Sequence, residues 1–161
     1  MAPFEVSVPG HTEGAMWASI YECPNCNNGG TQTSPELSWT SGPAGTMSYA
    51  VVMRDLDFMN GFIHWAIWDI PATESGLAEG IPEGFNPGAP APAGSKQAPF
   101  NGQLEGYLGM CSCNSINTYE FTVYAMPDAT LVGLDMGSTK EEAAAAIEAA
   151  ALASVAISGE S

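Results

Sequence analysis

The run Phe62-Ile63-His64-Trp65-Ala66-Ile67-Trp68-Asp69-Ile70-Pro71 constrains the fold more than any other part of this chain. Its β-branched and aromatic side chains read as a strand. Strict alternation puts Phe62, His64, Ala66 and Trp68 on one face and Ile63, Trp65 and Ile67 on the other. Both faces are then apolar, as in a central strand covered on two sides. His64 is the exception, because an imidazole in such a strand needs a partner or a ligand. Asp55 and Asp57 lie just upstream, and this reading places one of them within hydrogen-bond reach of His64 in a solvent-reachable pocket. The alternative is a histidine satisfied inside the core.

The rest of the chain is consistent with a turn-rich β protein. Phe4 to Val8 alternates and reads as an early strand ending at Pro9-Gly10. Met47 to Arg54 sets Tyr49, Val51 and Met53 against Ala50 and Val52. Tyr119 to Met126 sets Tyr119, Phe121, Val123 and Ala125 against Glu120, Thr122 and Tyr124, so both are expected to flank the His64 strand. Residues 84–106 are rich in Pro, Gly and Ala without periodicity and read as a long surface loop, a rim of the site or a tolerated insertion. Ser138 to Glu142 carries capping-box spacing and opens an alanine-rich helix expected to run to about Ala156, docking through Ala144, Ile147, Ala151 and Val155. With 45% hydrophobic residues, 18 Gly and 12 Pro, residues 1–161 are expected to form one mostly β domain, an antiparallel β-sandwich with a C-terminal α-helix.

Four ordered patches resemble the phosphatidylethanolamine-binding protein family, in particular its bacterial, Raf-kinase-inhibitor-like branch. Ser34-Pro35-Glu36-Leu37-Ser38-Trp39 resembles S-P-P-L-x-W, and Tyr49 to Asp57 resembles the strand leading into D-P-D-x-P. His64-Trp65 with Asp69-Ile70-Pro71 resembles H-W-x-x-x-N-I-P. Gly106 to Cys111 resembles G-Y-x-G-P-C, and Tyr119 to Ala125 the strand after H-R-Y. The departures bear on the site. Asn117-Thr118 stands where the pattern has H-R, so the second site histidine and the arginine are absent. Neither proline of D-P-D-x-P is present, and Met110, Ser112 and Cys113 replace those of G-P-C-P-P.

The resemblance implies a shallow pocket for a small anionic or zwitterionic ligand, such as phosphate or a phosphoethanolamine-like group. By position it is formed by Asp55, Asp57, His64, Tyr107, Gly109, Cys111, Asn117 and Tyr119. Protonated imidazole and glycine-turn N–H groups suit an anionic oxygen, and a carboxylate suits an ammonium group. Asn117 can donate a hydrogen bond but brings no charge. Arg54, the only arginine, reads as the local counter-ion of Asp55 or Asp57. The expected activity is binding without catalysis and without a cofactor, with a regulatory role left open. A hydrolase using an Asp/His pair with Ser112 or Cys111 is a weaker reading, because no nucleophile-elbow spacing is present.

Cys23-x-x-Cys26 and Cys111-x-Cys113 offer another alternative, a four-thiolate metal or thiol-based protein. Two disulfides are favoured instead. A bridge within Cys111-x-Cys113 would be strained, so each bridge is expected to join one cysteine of the first pair to one of the second.

Charge limits the partners. With 18 acidic residues against 3 Lys+Arg the net charge is −15, which disfavours nucleic acid and anionic membranes. No apolar run reaches the roughly 20 residues that span a bilayer. The cysteines favour a periplasmic or secreted location, with the signal peptide absent from this chain. The scarcity of Lys and Arg equally fits the cytoplasm of a salt-adapted organism. A protein partner and a homodimer both remain open.

Overall fold

The computed structural model describes residues 2–161. Its elements in chain order are β1 (Val6–Ser7), β2 (Leu37–Trp39), β3 (Ser48–Asp55), β4 (Phe62–Pro71), β5 (Gly76–Leu77), β6 (Lys96–Gln97), β7 (Thr118–Met126), α1 (Lys140–Ala150) and β8 (Ala153–Glu160). They form a small antiparallel sheet in the order β1-β2-β5 and a large one in the order β6-β4-β3-β7-β8. Every pairing between these strands is antiparallel.

The large sheet is covered on both faces, which is why its middle strands are apolar throughout. One face packs Tyr49, Val51, Met53, Trp65, Ile67, Phe121 and Val123 against Leu37, Trp39 and Leu77 of the small sheet. The other packs Ala50, Val52, Ala66, Trp68, Tyr124 and Met126 against Ala143, Ala144 and Ile147 of α1. The alternation read for β3 and β7 matches this division.

β4 departs from strict alternation. Met53 pairs with Trp65 but Arg54 pairs with Ile63, so His64 is an extra residue in a β-bulge. A bulge shifts the side-chain phase by one residue. Ile63 accordingly packs against the helix-side cluster, whereas Trp65 and Ile67 enter the sandwich core. A second register shift lies between Tyr49↔Ile70 and Val51↔Ile67. There Asp69 takes φ 58°, accepts from the Leu131 N–H at 2.8 Å and pairs with Lys96 at 2.9 Å.

The helix begins as expected. Thr139 caps it, with Glu142 completing the capping box. It stops at Ala150, however, not near Ala156. Leu152 N–H turns onto the Ala125 carbonyl, and residues 153–160 pair along the length of β7. Alanine favours a helix locally, but the Ser-Val-Ala-Ile stretch completes the sheet and buries Ile157, and tertiary pairing overrides propensity.

The loop over residues 84–106 is anchored midway by fully buried Gln97. Its Nε2 donates to the carbonyls of Pro82 and Gly84 at 2.6 and 3.0 Å, and its Oε1 accepts from Trp65 Nε1 at 2.8 Å. Gly106 lies against this side chain. A Cβ there would approach the Gln97 amide to 2.9 Å, at a φ of 149° that L side chains rarely adopt.

Candidate functional site

The end of β3, the start of β4 and the start of β7 bring Asp55, His64, Asn117 and Tyr119 to one end of the large sheet. The Gly106–Met110 segment is laid against them. Leu108 N–H donates to the His64 carbonyl at 3.2 Å, and His64 Nδ1 meets the Leu108 carbonyl oxygen at 3.1 Å. A carbonyl only accepts, so Nδ1 carries the proton and the neutral ring keeps its lone pair on Nε2. The side-chain nitrogens that are buried without a partner, among the described residues, are the indole Nε1 atoms of Trp39 and Trp68. His64 is 4% exposed, and its ring is hydrogen-bonded to the backbone, through Nδ1, rather than to a carboxylate.

The His64 ring stands edge-on to Tyr119 and Phe62, with centroids at 5.3 and 5.6 Å, and tilts against Phe100 at 6.4 Å. Burial pushes its pKa below the ordinary 6.5. The Leu108 and Gly109 carbonyls and the Asp55 carboxylate oppose that shift, and the Lys140 charge adds to it.

Neither carboxylate is hydrogen-bonded to the imidazole, in contrast to the expectation from sequence. Asp55 Oδ1 accepts from the N–H groups of Asp57 and Phe58 at 3.0 and 3.1 Å, and Oδ2 accepts from Asn117 Nδ2 at 2.8 Å. Asp57 Oδ2 accepts from Thr118 N–H at 2.6 Å. These acceptors shape the loop after β3, and the His64 ring bonds to the loop carbonyl instead. Arg54 is not their counter-ion either. It pairs with Glu148 of α1 at 3.3 Å.

The other candidates fall into two groups. Asn117 occupies the position of the missing histidine and holds Asp55. Tyr119 packs on His64, and its hydroxyl accepts from Cys111 N–H at 3.2 Å. Burial raises its pKa, and Asp55 adds to the rise. Tyr107 is buried beneath the loop, donating its hydroxyl to the Tyr21 carbonyl at 2.6 Å. Gly109 permits close chain approach, since a Cβ there would lie 2.6 Å from the Cys23 nitrogen. Cys111 is bonded to Cys23 and Cys113 to Cys26, with Cα separations of 5.4 and 5.0 Å. The cross-segment pairing expected from sequence is thus present, and all four sulfurs lie within 4.8 Å of one another.

Sequence reasoning missed Lys140. Only 8% exposed, it lies over the Phe62 and Phe100 rings, with Nζ at 4.7 and 4.4 Å from their centroids. Its scarcity was the available signal, as it is one of 3 Lys+Arg. An open cleft of about 530 Å3 adjoins it, lined by Phe100, Glu105, Ser138, Thr139, Lys140 and Glu141 among others. A larger cleft of about 820 Å3 lies at the opposite end of β3, around Phe4, Trp39 and Tyr49, and shares no residue with this cluster.

Together these features define a class: a two-sheet β protein with a loop-braced histidine at the end of its central sheet. The chain belongs to the phosphatidylethanolamine-binding protein family, whose model matches residues 10–161. A UPF0098 protein of Methanothermobacter thermautotrophicus is 32% identical over 120 residues, covering 74% of this chain and 76% of that one. LppC of Mycobacterium tuberculosis, named as a lipoprotein, is 32% identical over 152 residues, covering 92% and 67%. The crystal structure of Escherichia coli YbcL, described as a member of the mammalian PEBP family, superposes with a TM-score of 0.85 at 26% identity. That match covers 99% of this chain and 98% of YbcL.

Proposed function

We propose that this protein is a non-catalytic binder of a small anionic or zwitterionic ligand bearing a phosphoryl-type oxyanion, received at His64. The observation that carries this reading is the fixed imidazole. Nδ1 is committed to the Leu108 carbonyl, so any proton gained goes to Nε2. The ring then becomes a cation at the sheet end, able to make a charge-assisted bond to an anionic oxygen. Asp55 supports that cation electrostatically and Lys140 opposes it.

Two observations argue against nucleophilic catalysis. Cys111 is locked in a disulfide, and the Ser112 hydroxyl donates to the Ser161 carbonyl at 2.6 Å. Two disulfides favour an oxidising compartment. The lipoprotein name of LppC accords with an extracytoplasmic location. No helix among the described residues is long and apolar enough to cross a membrane.

The test is an NMR titration with inorganic phosphate at pH 7.5 and 5.5, on the parent and on His64→Ala. Because burial lowers the His64 pKa below 6.5, the protonated form gains population only as pH falls through that lower value. Affinity is therefore expected to rise at pH 5.5 in the parent and to stay flat in the variant. Equal affinities in both proteins at both pH values would overturn the reading.

A further inference from the structure

We infer that Cys23, Cys26, Cys111 and Cys113 form a redox-gated zinc site: oxidised, they make the two bridges, and reduced, they hold one zinc ion in a four-thiolate tetrahedron. The four sulfurs already surround one point, all within 4.8 Å of one another. Zinc with Zn–S bonds of about 2.3 Å sets its four sulfurs about 3.8 Å apart. Cys23 and Cys26 are not bonded to each other, and their sulfurs lie 3.7 Å apart. Only the two bonded pairs have to open, each by about 1.7 Å from an ordinary disulfide, a distance that side-chain rotation supplies.

The backbone around the sulfurs is built for such a cluster. Pro24–Cys26 is a single 3-10 turn, and Asn27 leaves it in the left-handed conformation with its N–H on the Pro24 carbonyl. That turn folds Cys23-x-x-Cys26 back on itself, the spacing with which one loop offers two thiolates to a metal. Cys111 and Cys113 follow the bridge between Met110 and Glu22, and both side chains reach the turn. Hydrogen bonds that reduction leaves intact also tie these segments in place. Cys23 N–H donates to the Met110 carbonyl at 2.9 Å, and Met110 N–H to the Tyr21 carbonyl at 3.2 Å. Cys111 N–H donates to Tyr119 Oη at 3.2 Å, and the Ser112 hydroxyl to the Ser161 carbonyl at 2.6 Å. The released thiols therefore stay clustered, which spares the metal the cost of gathering its ligands.

An ion has a way in. Cys113 is exposed, Cys26 and Cys111 are half-buried, and a cavity of about 40 Å3 lies beside Cys26 and Cys113. Cys23, 1% exposed, closes the site from within. The net charge of −15 draws cations, and four soft thiolates favour zinc over calcium or magnesium, which take oxygen ligands. On reduction each bridge takes two electrons and two protons from a dithiol, which closes its own disulfide. Zinc then displaces the thiol protons, so the whole exchange consumes two dithiols and one Zn2+ and releases four protons. In the disulfide form the sulfurs are spent on one another and offer no thiolate.

The experiment reduces the full chain with dithiothreitol, removes the reductant under argon and titrates Zn2+ or Co2+. The disulfide form and the reduced double variant Cys26→Ser/Cys113→Ser are titrated alongside. The reduced parent is expected to take up one zinc, seen by native mass spectrometry, with about four protons released per ion. Co2+ is expected to give thiolate-to-cobalt charge-transfer absorption, which carboxylate sites do not produce. Losing even an outer partner of a metal ligand costs about 10–100-fold, so the disulfide form and the double variant are expected to bind at least about 100-fold more weakly. Circular dichroism follows the fold throughout, and zinc is expected to restore any structure lost on reduction. Zinc uptake of equal strength by the disulfide form or by the double variant would place the metal on carboxylates and overturn the inference. A reduced parent that takes up no zinc would overturn it too, whether the chain stays folded or unfolds without recovery.

Discussion

Asp55→Asn isolates how the site loop is held. The Asp55 carboxylate receives two backbone N–H groups on one oxygen and the Asn117 amide on the other, all between 2.8 and 3.1 Å, and is 3% exposed. Hydrogen bonds to a charged group contribute about 1.5–3 kcal/mol each, against about 1 for a neutral pair. An asparagine in the same rotamer keeps one oxygen for the backbone groups but turns an NH2 toward the NH2 of Asn117. One bond of three is lost and the other two weaken, so D55N is expected to destabilise by about 2–4 kcal/mol. N117D alone sets two carboxylates face to face and is expected to cost about 1–3 kcal/mol near pH 7. The double variant D55N/N117D restores a donor opposite an acceptor and is expected to be more stable than either loss summed, with a coupling of about 2 kcal/mol. Urea unfolding of the four proteins measures the cycle, and the amide shifts of Asp57 and Phe58 report the loop. Additive single effects, within about 0.5 kcal/mol, would refute the claim that this contact organises the loop.

Three further outcomes are expected. Reducing the disulfides opens chain separations of 88 and 87 residues. Closing one such loop is worth about 4.5 kcal/mol in the chain-entropy model, the second adding little, so the melting temperature falls clearly while a chelator has no effect. The intact mass checks the starting state by a deficit of about four hydrogens relative to the reduced chain. His64, whose folded pKa is depressed by burial, contributes stability that is present above the unfolded value of 6.5 and is lost as pH falls below it. His64→Gln is therefore expected to flatten part of the drop in urea stability between pH 7.5 and 5. Ile147→Ala empties a fully buried position between α1 and the large sheet and is expected to cost about 2–4 kcal/mol by urea unfolding.

The strands were legible where local pattern and tertiary environment agree. Tyr49, Val51 and Met53 alternate with Ala50 and Val52 in sequence and in space because each face of β3 has its own apolar cover. The bulge at His64 was not legible, since an extra residue shows only in the pairing with Met53 and Arg54. The end of α1 was misplaced for a similar reason: the alanine run is locally helical, and only the open edge of β7 recruits residues 153–160 as a strand. In the site, side chains with a motif were found, but the Leu108 carbonyl that fixes the imidazole leaves no side-chain signature. Lys140 is far from His64 in sequence, and a lysine opening a helix is ordinarily solvated. Only the fold folds it onto Phe62 and Phe100.

Each of the three cationic side chains is in an ion pair: Arg54 with Glu148, Lys96 with Asp69, Lys140 with Glu141. The remaining surface is overwhelmingly negative, at a net −15. A phosphate anion approaching His64 would therefore cross a repulsive field before it met any attraction. At about 0.01 M salt that field reaches roughly 30 Å, and at about 1 M roughly 3 Å. A contact to the buried His64 ring would be screened far less than this outer field. On the proposed function, added salt is expected to remove the barrier faster than it weakens the contact, so that a free anion binds better in brine, opposite to the usual sense of ionic recognition. A zwitterion, having no net charge, is nearly indifferent to either condition. On that reading the distant carboxylates would discriminate between the two by ionic strength, a selectivity owed to none of the residues that would touch the ligand.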